Sequence, residues 1–201
     1  MQKKNAPDPE IFQAADFAAN GDLWVFGYGS LMWRPGFEHI DVQPAMLGGY
    51  HREFCIYSHH HRGTSDHPGL VLGLDRGGCC RGLAFRVASA HVADVVAYLD
   101  ERELVTSAYI PKTLPVRLGE ERVTAYTFVA DPTHRQYAGH LEADAAASII
   151  MDAQGRSGLN RDYLINTVRH LESLGFTDGR VHKLLERVEA LTGEIERGSG
   201  I

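Results

Sequence analysis

Residues 24–34 read Trp24-Val25-Phe26-Gly27-Tyr28-Gly29-Ser30-Leu31-Met32-Trp33-Arg34. The apolar, β-prone residues 23–26 predict a buried strand that ends at the Gly-x-Gly-Ser segment. Glycines allow positive φ there and let main-chain N–H groups approach a ligand without a Cβ in the way. Successive N–H groups that point inward form an anion-binding nest, which suits a carboxylate or a phosphate. The run therefore predicts either a binding loop or only a tight turn at the end of a core strand.

The glycine spacing does not fit a nucleotide-binding loop. The chain lacks the Gly-x-x-x-x-Gly-Lys-Ser/Thr pattern, and Gly27-x-Gly29 lacks the third glycine of the dinucleotide fingerprint. The glycines therefore do not predict a nucleotide phosphate site.

Composition predicts one globular domain that binds a small molecule. The chain has 201 residues, of which 44% are hydrophobic and 23% charged, enough for a full-sized core. No apolar run approaches the roughly 20 residues that span a bilayer, so no membrane association is expected. The formal net charge of -6 argues against nucleic-acid binding, which depends on clustered Lys and Arg.

The cysteine pattern favours a reducing cytoplasm. Cys55, Cys79 and Cys80 form neither a disulfide framework nor a Cys-x-x-Cys zinc pattern. The first nine residues carry no apolar stretch behind their lysines, so no secretory signal is expected.

Hydrophobic periodicity predicts an α+β fold. We expect an N-terminal arm or helix in residues 1–22 (helical at 9–20), a single domain at 23–197 and a tail at 198–201. A β-rich body precedes a helical C-terminal third. The expected strands are at 23–26, 43–57, 69–74, 82–87, 108–118 and 122–130, with tight turns at 75–78 and 119–121, and the expected helices are at 89–103, 142–153, 160–174 and 178–197.

Glu103 lies on the apolar side of the helix expected at 89–103. At about 100° per residue it falls about 20° from Val92, in line with Val96 and Leu99. An isolated buried charge costs several kcal/mol, so this carboxylate must be paired, protonated or functional. Fraying of the helix end, or a salt bridge to Arg102 or Arg52, are the structural alternatives.

Several potential metal ligands are close in sequence: His59, His60, His61, His67, Cys79 and Cys80. Consecutive histidines project in different directions, and no His-x-x-x-His or Cys-x-x-Cys pairs the ligands. A solvated loop is therefore favoured over a metal site. Adjacent cysteines at the start of a strand are more often small buried side chains than nucleophiles.

These features together resemble the ChaC family of γ-glutamylcyclotransferases. The resemblance covers residues 23–191, although Ser107-Ala108 replaces the Gly-Gly that some members carry before the tyrosine. The resemblance implies a small mixed β-barrel with flanking helices. The segments that carry it are 25–34, 62–69, 98–103, 108–109 and 157–164.

The resemblance also implies an activity and a binding loop. ChaC proteins act on glutathione, whose glutamyl α-amine attacks its own γ-carbonyl to release 5-oxoproline and cysteinylglycine. The glutamyl carboxylate is then expected in the nest, whose residues are Gly27, Tyr28, Gly29, Ser30 and Leu31.

Glu103 is expected to accept the amine proton and return it to the departing nitrogen. This chemistry requires no metal, no cofactor and no covalent intermediate. Tyr28, Tyr109 and Tyr163 are candidates for substrate contact or for positioning Glu103, and core tyrosines are the alternative.

Two further functions stay open at this point. The chain could be a cyclotransferase for other γ-glutamyl amino acids or amines, or a binding module without catalysis. An intact Glu103 argues against the binding module, because a lapsed enzyme has no reason to keep a costly carboxylate on an apolar stripe. The sequence makes no prediction about oligomeric state.

Overall fold

Five strands close into a barrel in a computed structural model that describes residues 21–198, with side chains up to residue 193. The helix expected at 9–20 and the last three residues lie outside the described range. Around the barrel the strand order is β1-β3-β2-β4-β5, and β5 pairs with β1 to close it. All neighbours are antiparallel except β1 and β5, so the barrel is mixed, as expected. The strands are β1 (Leu23–Gly27), β2 (Asp41–Ser58), β3 (Gly69–Val87), β4 (Tyr109–Leu118) and β5 (Glu121–Ala130).

The closure between β1 and β5 fixes where the first strand ends. Trp24 pairs with Ala125 in parallel register, and Val25 follows in the same ladder. The buried Thr127 hydroxyl then donates to the Phe26 carbonyl oxygen at 2.9 Å. Because β1 stops one residue later, the chain leaves the barrel at Gly27 and starts the loop that the sequence singled out.

The prediction of a tight turn at 75–78 is wrong, because β3 continues through these residues as one strand of 19 residues. Gly77 and Gly78 do have positive φ, at 100° and 68°, and Gly49 opposite them has φ 82°. The register shifts between Gly48 and Tyr50, so two residues of β3 face one residue of β2. Turns and β-bulges both place glycine at positive φ, and here the glycines form a bulge that bends two long strands.

Within residues 21–198, four helices flank the barrel, each within a few residues of its expected range. The helix expected at 89–103 begins with a 3₁₀ turn at Ser89–His91 before it becomes α-helical. The last three helices contact one another, and two of them also contact β3 and β2. The helices are α1 (Val92–Glu103), α2 (Ala143–Asp152), α3 (Asn160–Ser173) and α4 (Gly179–Gly198), and a short hairpin of β6 (Gln154–Gly155) and β7 (Gly158–Leu159) precedes α3.

The apolar stripe of α1 faces the core as its periodicity predicts. Val92, Val96 and Leu99 are all buried, whereas Asp94 and Glu101 are exposed. Burying such an aliphatic side chain stabilises the folded state by about 1.5–3 kcal/mol relative to leaving it exposed. This burial fixes the rotation of α1 about its axis.

A buried asparagine joins α3 to the barrel. Asn160 is fully buried, and its Oδ1 accepts a hydrogen bond from the Leu70 N–H at 2.7 Å. Its Nδ2 donates to the Leu70 carbonyl oxygen at 2.8 Å. The side chain thus satisfies both main-chain polar groups of one residue, as a neighbouring strand would.

We expect Asn160→Ala to lower the free energy of unfolding by at least about 2 kcal/mol. Two buried main-chain groups lose their partners, and each unsatisfied group costs about 1–3 kcal/mol. Asn166→Ala, on the exposed side of the same helix, is the matched control. Chemical denaturation measures both, and equal stability of the two variants would contradict this role of Asn160.

Candidate active site

A cavity opens beside the end of β1. It brings together every expected site residue except Gly27, which lies at the end of β1 beneath the loop. Glu103 is the one carboxylate among the described residues that line it. The lining consists of Tyr28, Gly29, Ser30, Leu31, Leu72, Glu103, Tyr109, Phe128 and Tyr163.

The loop after β1 presents main-chain donors to this cavity. It turns back through a short 3₁₀ helix at Ser30–Met32, in which the Met32 N–H donates to the Gly29 carbonyl oxygen at 2.9 Å. No side chain caps the start of this turn. Within residues 21–198, the N–H groups of Gly29, Ser30 and Leu31 donate to no acceptor. An anion in the cavity could therefore accept hydrogen bonds from the main chain.

Neither glycine of the loop has the positive φ that the sequence analysis allowed for. Gly29 has φ -133°, and Gly27 is not among the described positive-φ glycines. Close packing explains Gly27, whereas a Cβ on Gly29 would make only an ordinary van der Waals contact. A Cβ on Gly27 would lie 3.1 Å from the Leu31 Cβ, and a Cβ on Gly29 would lie 3.4 Å from a methyl group of Leu72 in the cavity wall.

Glu103 is the last residue of α1, and its side chain is only 22% exposed. Its Oε1 lies 3.1 Å from the Nε of Arg102. Burial raises the pKa of Glu103 above its ordinary value, and the charge and hydrogen bond of Arg102 offset only part of that rise. The carboxyl group is therefore better suited to exchange a proton than an exposed glutamate. The ion pair with Arg102 exists, and the alternative pair with Arg52 does not.

Arg102 also joins α1 to the loop. One terminal nitrogen donates to the carbonyl oxygens of Arg34 at 2.7 Å and Pro35 at 3.2 Å, and to the Tyr98 hydroxyl at 3.1 Å. The other terminal nitrogen donates to the Ser30 hydroxyl at 3.1 Å. One guanidinium thus holds the carboxylate at the end of α1 at a defined place relative to the binding loop.

A second arginine holds the loop from below. Arg52 is 2% exposed, and its Nε donates to the Tyr28 carbonyl oxygen at 2.6 Å. Its other nitrogens donate to the Asp178 carboxylate at 2.6 Å and to the Arg81 carbonyl oxygen at 2.7 Å. A buried guanidinium is tolerated only when its donors are used, and this one fixes the loop backbone against the start of α4.

The three expected tyrosines form walls of the cavity and remain protonated. Burial raises the pKa of Tyr28 and Tyr109 well above the ordinary value, and that of Tyr163 to about 12. The Tyr109 hydroxyl donates to the Leu72 carbonyl oxygen at 2.7 Å. The Tyr28 hydroxyl has no partner among the described residues, so it is free to contact a ligand.

Leu72 and Phe128 line the cavity and were missed at the sequence level. Both lie in apolar runs of β3 and β5, where a residue that faces the cavity has the same character as one that faces the core. The sequence carries no signal that would have separated them from the core.

No histidine or cysteine among the described residues lines the cavity. Residues 21–193 contain no group of three or more His, Cys, Asp or Glu side chains that could hold a metal ion. Cys55 and Cys80 are buried, and burial raises the pKa of both thiols, to about 11 for Cys80. A thiol with a raised pKa is a poor nucleophile. No helix in the described range is long and apolar enough to cross a membrane.

Known proteins resemble this chain in fold and in sequence. A γ-glutamylcyclotransferase specific to glutathione from yeast has the same fold, with a TM-score of 0.78 over 85% of this chain and 97% of that structure, at 23% identity. The glutathione-specific γ-glutamylcyclotransferase of Escherichia coli K12 is 36% identical over 175 residues, which are 87% of this chain and 76% of the relative. The human glutathione-specific γ-glutamylcyclotransferase 1 is 35% identical over 171 residues, or 81% and 77% of the two chains.

The ChaC-like protein family model matches residues 23–191, which is most of the chain and includes every residue of the cavity. The barrel, the loop after β1 and the carboxylate at the end of α1 all fall within that match. The chain belongs to the ChaC-like protein family.

Proposed function

We propose that this protein is a γ-glutamylcyclotransferase that cleaves glutathione into 5-oxoproline and cysteinylglycine. One observation carries the proposal: a carboxylate with a raised pKa shares a cavity with three main-chain N–H groups that have no partner among the described residues. This pair of features matches the two ends of the reacting glutamyl group, an α-carboxylate and an α-amine. The names of the E. coli and human relatives support glutathione as the substrate.

The loop after β1 holds the substrate's α-carboxylate in this proposal. The N–H groups of Gly29, Ser30 and Leu31 donate to it, and the Tyr28 hydroxyl adds a side-chain donor. Gly27 permits the close packing that forms the loop. Hydrogen bonds to a charged group contribute about 1.5–3 kcal/mol each, enough to orient the glutamyl chain.

Glu103 carries the proton in both halves of the reaction. The α-amine is mostly protonated at neutral pH and then has no lone pair for attack. Glu103 accepts one proton, the free amine bonds to the γ-carbonyl carbon, and a five-membered ring forms whose nitrogen still carries two hydrogens. Glu103 gives its proton to the cysteinyl nitrogen as the bond from that carbon breaks. The ring nitrogen then loses its second hydrogen through Glu103 to the released amine, which leaves a neutral lactam and an ammonium group.

The remaining residues place the substrate and leave its chemistry to Glu103. The attack is intramolecular, so a folded substrate conformation supplies much of the acceleration. Tyr109 and Tyr163 shape the wall and stay neutral, which leaves the carboxylate as the proton acceptor. No metal, cofactor or covalent intermediate takes part in these steps.

We further propose that residues 23–197 act as one catalytic domain in a reducing cytoplasm. The cavity is lined by residues from Tyr28 to Tyr163, so both the barrel and the C-terminal helices contribute to it. All three cysteines are free thiols, which fits a reducing compartment. We propose a small-molecule substrate with no nucleic-acid or membrane partner.

Glu103→Gln tests the proposal. It preserves side-chain size but cannot accept a proton at neutral pH, so 5-oxoproline release from glutathione should fall about a hundredfold or more. The melting temperature should hold or rise. A buried carboxyl group with a raised pKa binds more protons in the folded state than in the unfolded state. Its contribution to stability therefore falls as the pH rises above the ordinary pKa of a glutamate. The neutral amide removes that cost.

Glu101→Gln, an exposed change on the same helix, is the matched control and should preserve both activity and melting temperature. Chromatography of 5-oxoproline and thermal unfolding are measured on the same preparations. A purely structural ion pair between Glu103 and Arg102 predicts the reverse pattern, a lower melting temperature with near-normal turnover. A stable and fully active Glu103→Gln variant would reject the mechanism.

Gly29→Ala tests the loop. The new methyl group would lie against Leu72 in the cavity wall and crowd the bound carboxylate. We expect a rise in KM of about 10- to 100-fold, the range for losing a hydrogen bond to a charged group, with a small change in melting temperature. Gly48→Ala is the control, because a Cβ there meets nothing within 4 Å of the described structure. Unchanged kcat/KM in Gly29→Ala would show that the loop does not bind the substrate.

A further inference from the structure

The side chain of Trp33, just after the short 3₁₀ helix of the binding loop, stacks on the ring of His170 in α3. The two ring centres lie 4.4 Å apart, and the ring planes are inclined by 21°. Both side chains are half-buried. Stacked aromatic rings attract each other by more than the area that they bury accounts for. This ring stack therefore joins the loop to a helix that is distant in the sequence.

The main chain of Trp33 belongs to the turn that presents the N–H donors. The Trp33 N–H donates to the Ser30 carbonyl oxygen at 3.3 Å, and the Arg34 N–H donates to the same oxygen at 2.8 Å. Ser30 lines the cavity and supplies one of the three main-chain donors of the loop. Because the ring and the turn are parts of one short segment, the place of the Trp33 ring determines the place of these donors.

His170 offers Trp33 a ring of fixed orientation. Its Nδ1 donates to the Asn166 carbonyl oxygen at 2.6 Å, and this nitrogen carries the hydrogen because a carbonyl oxygen can only accept. The helix beneath the ring is anchored as well. Leu171 is fully buried, and at the other end of α3 Asn160 binds the main chain of Leu70. Both the ring and its helix are therefore fixed relative to the barrel.

Tyr163 and His170 lie on the same side of α3. They are seven residues apart, which corresponds to about two helical turns, a rotation of about 20° and a rise of about 10 Å. Tyr163 lines the cavity, whereas His170 stacks on Trp33. One side of α3 thus supplies a wall of the cavity and the partner of the loop. The ring stack therefore sets the distance between the loop donors and the Tyr163 wall.

The other contacts that hold the loop act at different points. Arg52 on β2 binds the Tyr28 carbonyl oxygen, which precedes the turn. Arg102 on α1 binds the Ser30 hydroxyl and the Arg34 carbonyl oxygen. These contacts join the loop to β2 and to α1, and the ring stack adds α3.

We infer that His170 is a positioning residue for substrate binding that acts through Trp33, an inference that rests on the proposed function. His170 does not line the cavity. By stacking on Trp33 it keeps the turn where the N–H groups meet the glutamyl carboxylate and the substrate fits against Tyr163. A loop that adopts this position only part of the time binds more weakly in proportion to that fraction. KM then rises, while the chemistry at Glu103 keeps its rate.

His170→Ala removes the ring and tests this inference. We expect the KM for glutathione to rise about 2- to 12-fold, which is the stacking energy of an aromatic pair converted to a ratio, with kcat nearly unchanged. His170→Phe keeps a ring that can stack but cannot donate to Asn166, and it should restore a KM close to that of the unmodified enzyme. Arg169→Ala, an exposed change at the preceding position of α3, is the matched control and should leave KM and kcat as they are.

Trp33→Leu tests the ring stack from the side of the loop. It should raise KM by a similar factor. The double variant of Trp33→Leu and His170→Ala should raise KM no further than Trp33→Leu alone, because both changes remove the same interaction. Initial rates of 5-oxoproline release over a range of glutathione concentrations, with thermal unfolding on the same preparations, measure all of these variants.

A merely structural His170 predicts a lower melting temperature with unchanged KM per folded molecule, and that result would overturn the inference. An equal rise of KM in His170→Phe and His170→Ala would overturn it too, since the ring would then not matter. If His170→Ala fails to fold, an unchanged KM in Trp33→Leu has the same meaning. In each case 5-oxoproline release by the unmodified enzyme leaves the proposed function intact. Absence of that release would refute the proposed function, and the positioning role with it.

Discussion

The site depends on the contacts that the guanidinium of Arg102 makes. It binds the Glu103 carboxylate on one side, and the Ser30 hydroxyl and the Arg34 carbonyl oxygen on the other. The helix that carries the carboxylate and the loop that presents the N–H groups are thereby joined through one rigid group. Because burial outweighs the attraction of Arg102, the carboxyl group keeps a raised pKa even while it is paired.

The barrel provides the fixed frame for that contact. The parallel closure of β1 onto β5 ends the first strand at the loop, and the buried Arg52 holds the loop backbone from below. Asn160 places α3 so that Tyr163 forms a cavity wall. Preorganised donors of this kind need no rearrangement when the ligand binds, so a loop that is fixed to a closed barrel suits the proposed cyclisation.

Periodicity located the helices of the described residues and most strands, and it placed Glu103 on the buried side of α1. It misjudged Gly77 and Gly78, because bulges and turns both use glycine at positive φ. Leu72 could not be separated from the core, since cavity and core positions on a strand share the same apolar character. The full burial of Arg52 was equally hidden, because it follows from partners distant in sequence, such as Asp178.

The pH dependence of kcat/KM in Arg102→Met tests the central claim most directly. The acid limb of that profile reports the pKa of the essential base in the free enzyme, whatever the absolute rate. Arg102 lowers the pKa of Glu103, so its removal should move the acid limb to higher pH, while Glu101→Gln leaves the limb in place. An acid limb at the same pH in Arg102→Met and the unmodified enzyme would contradict the role of Glu103 as the proton acceptor.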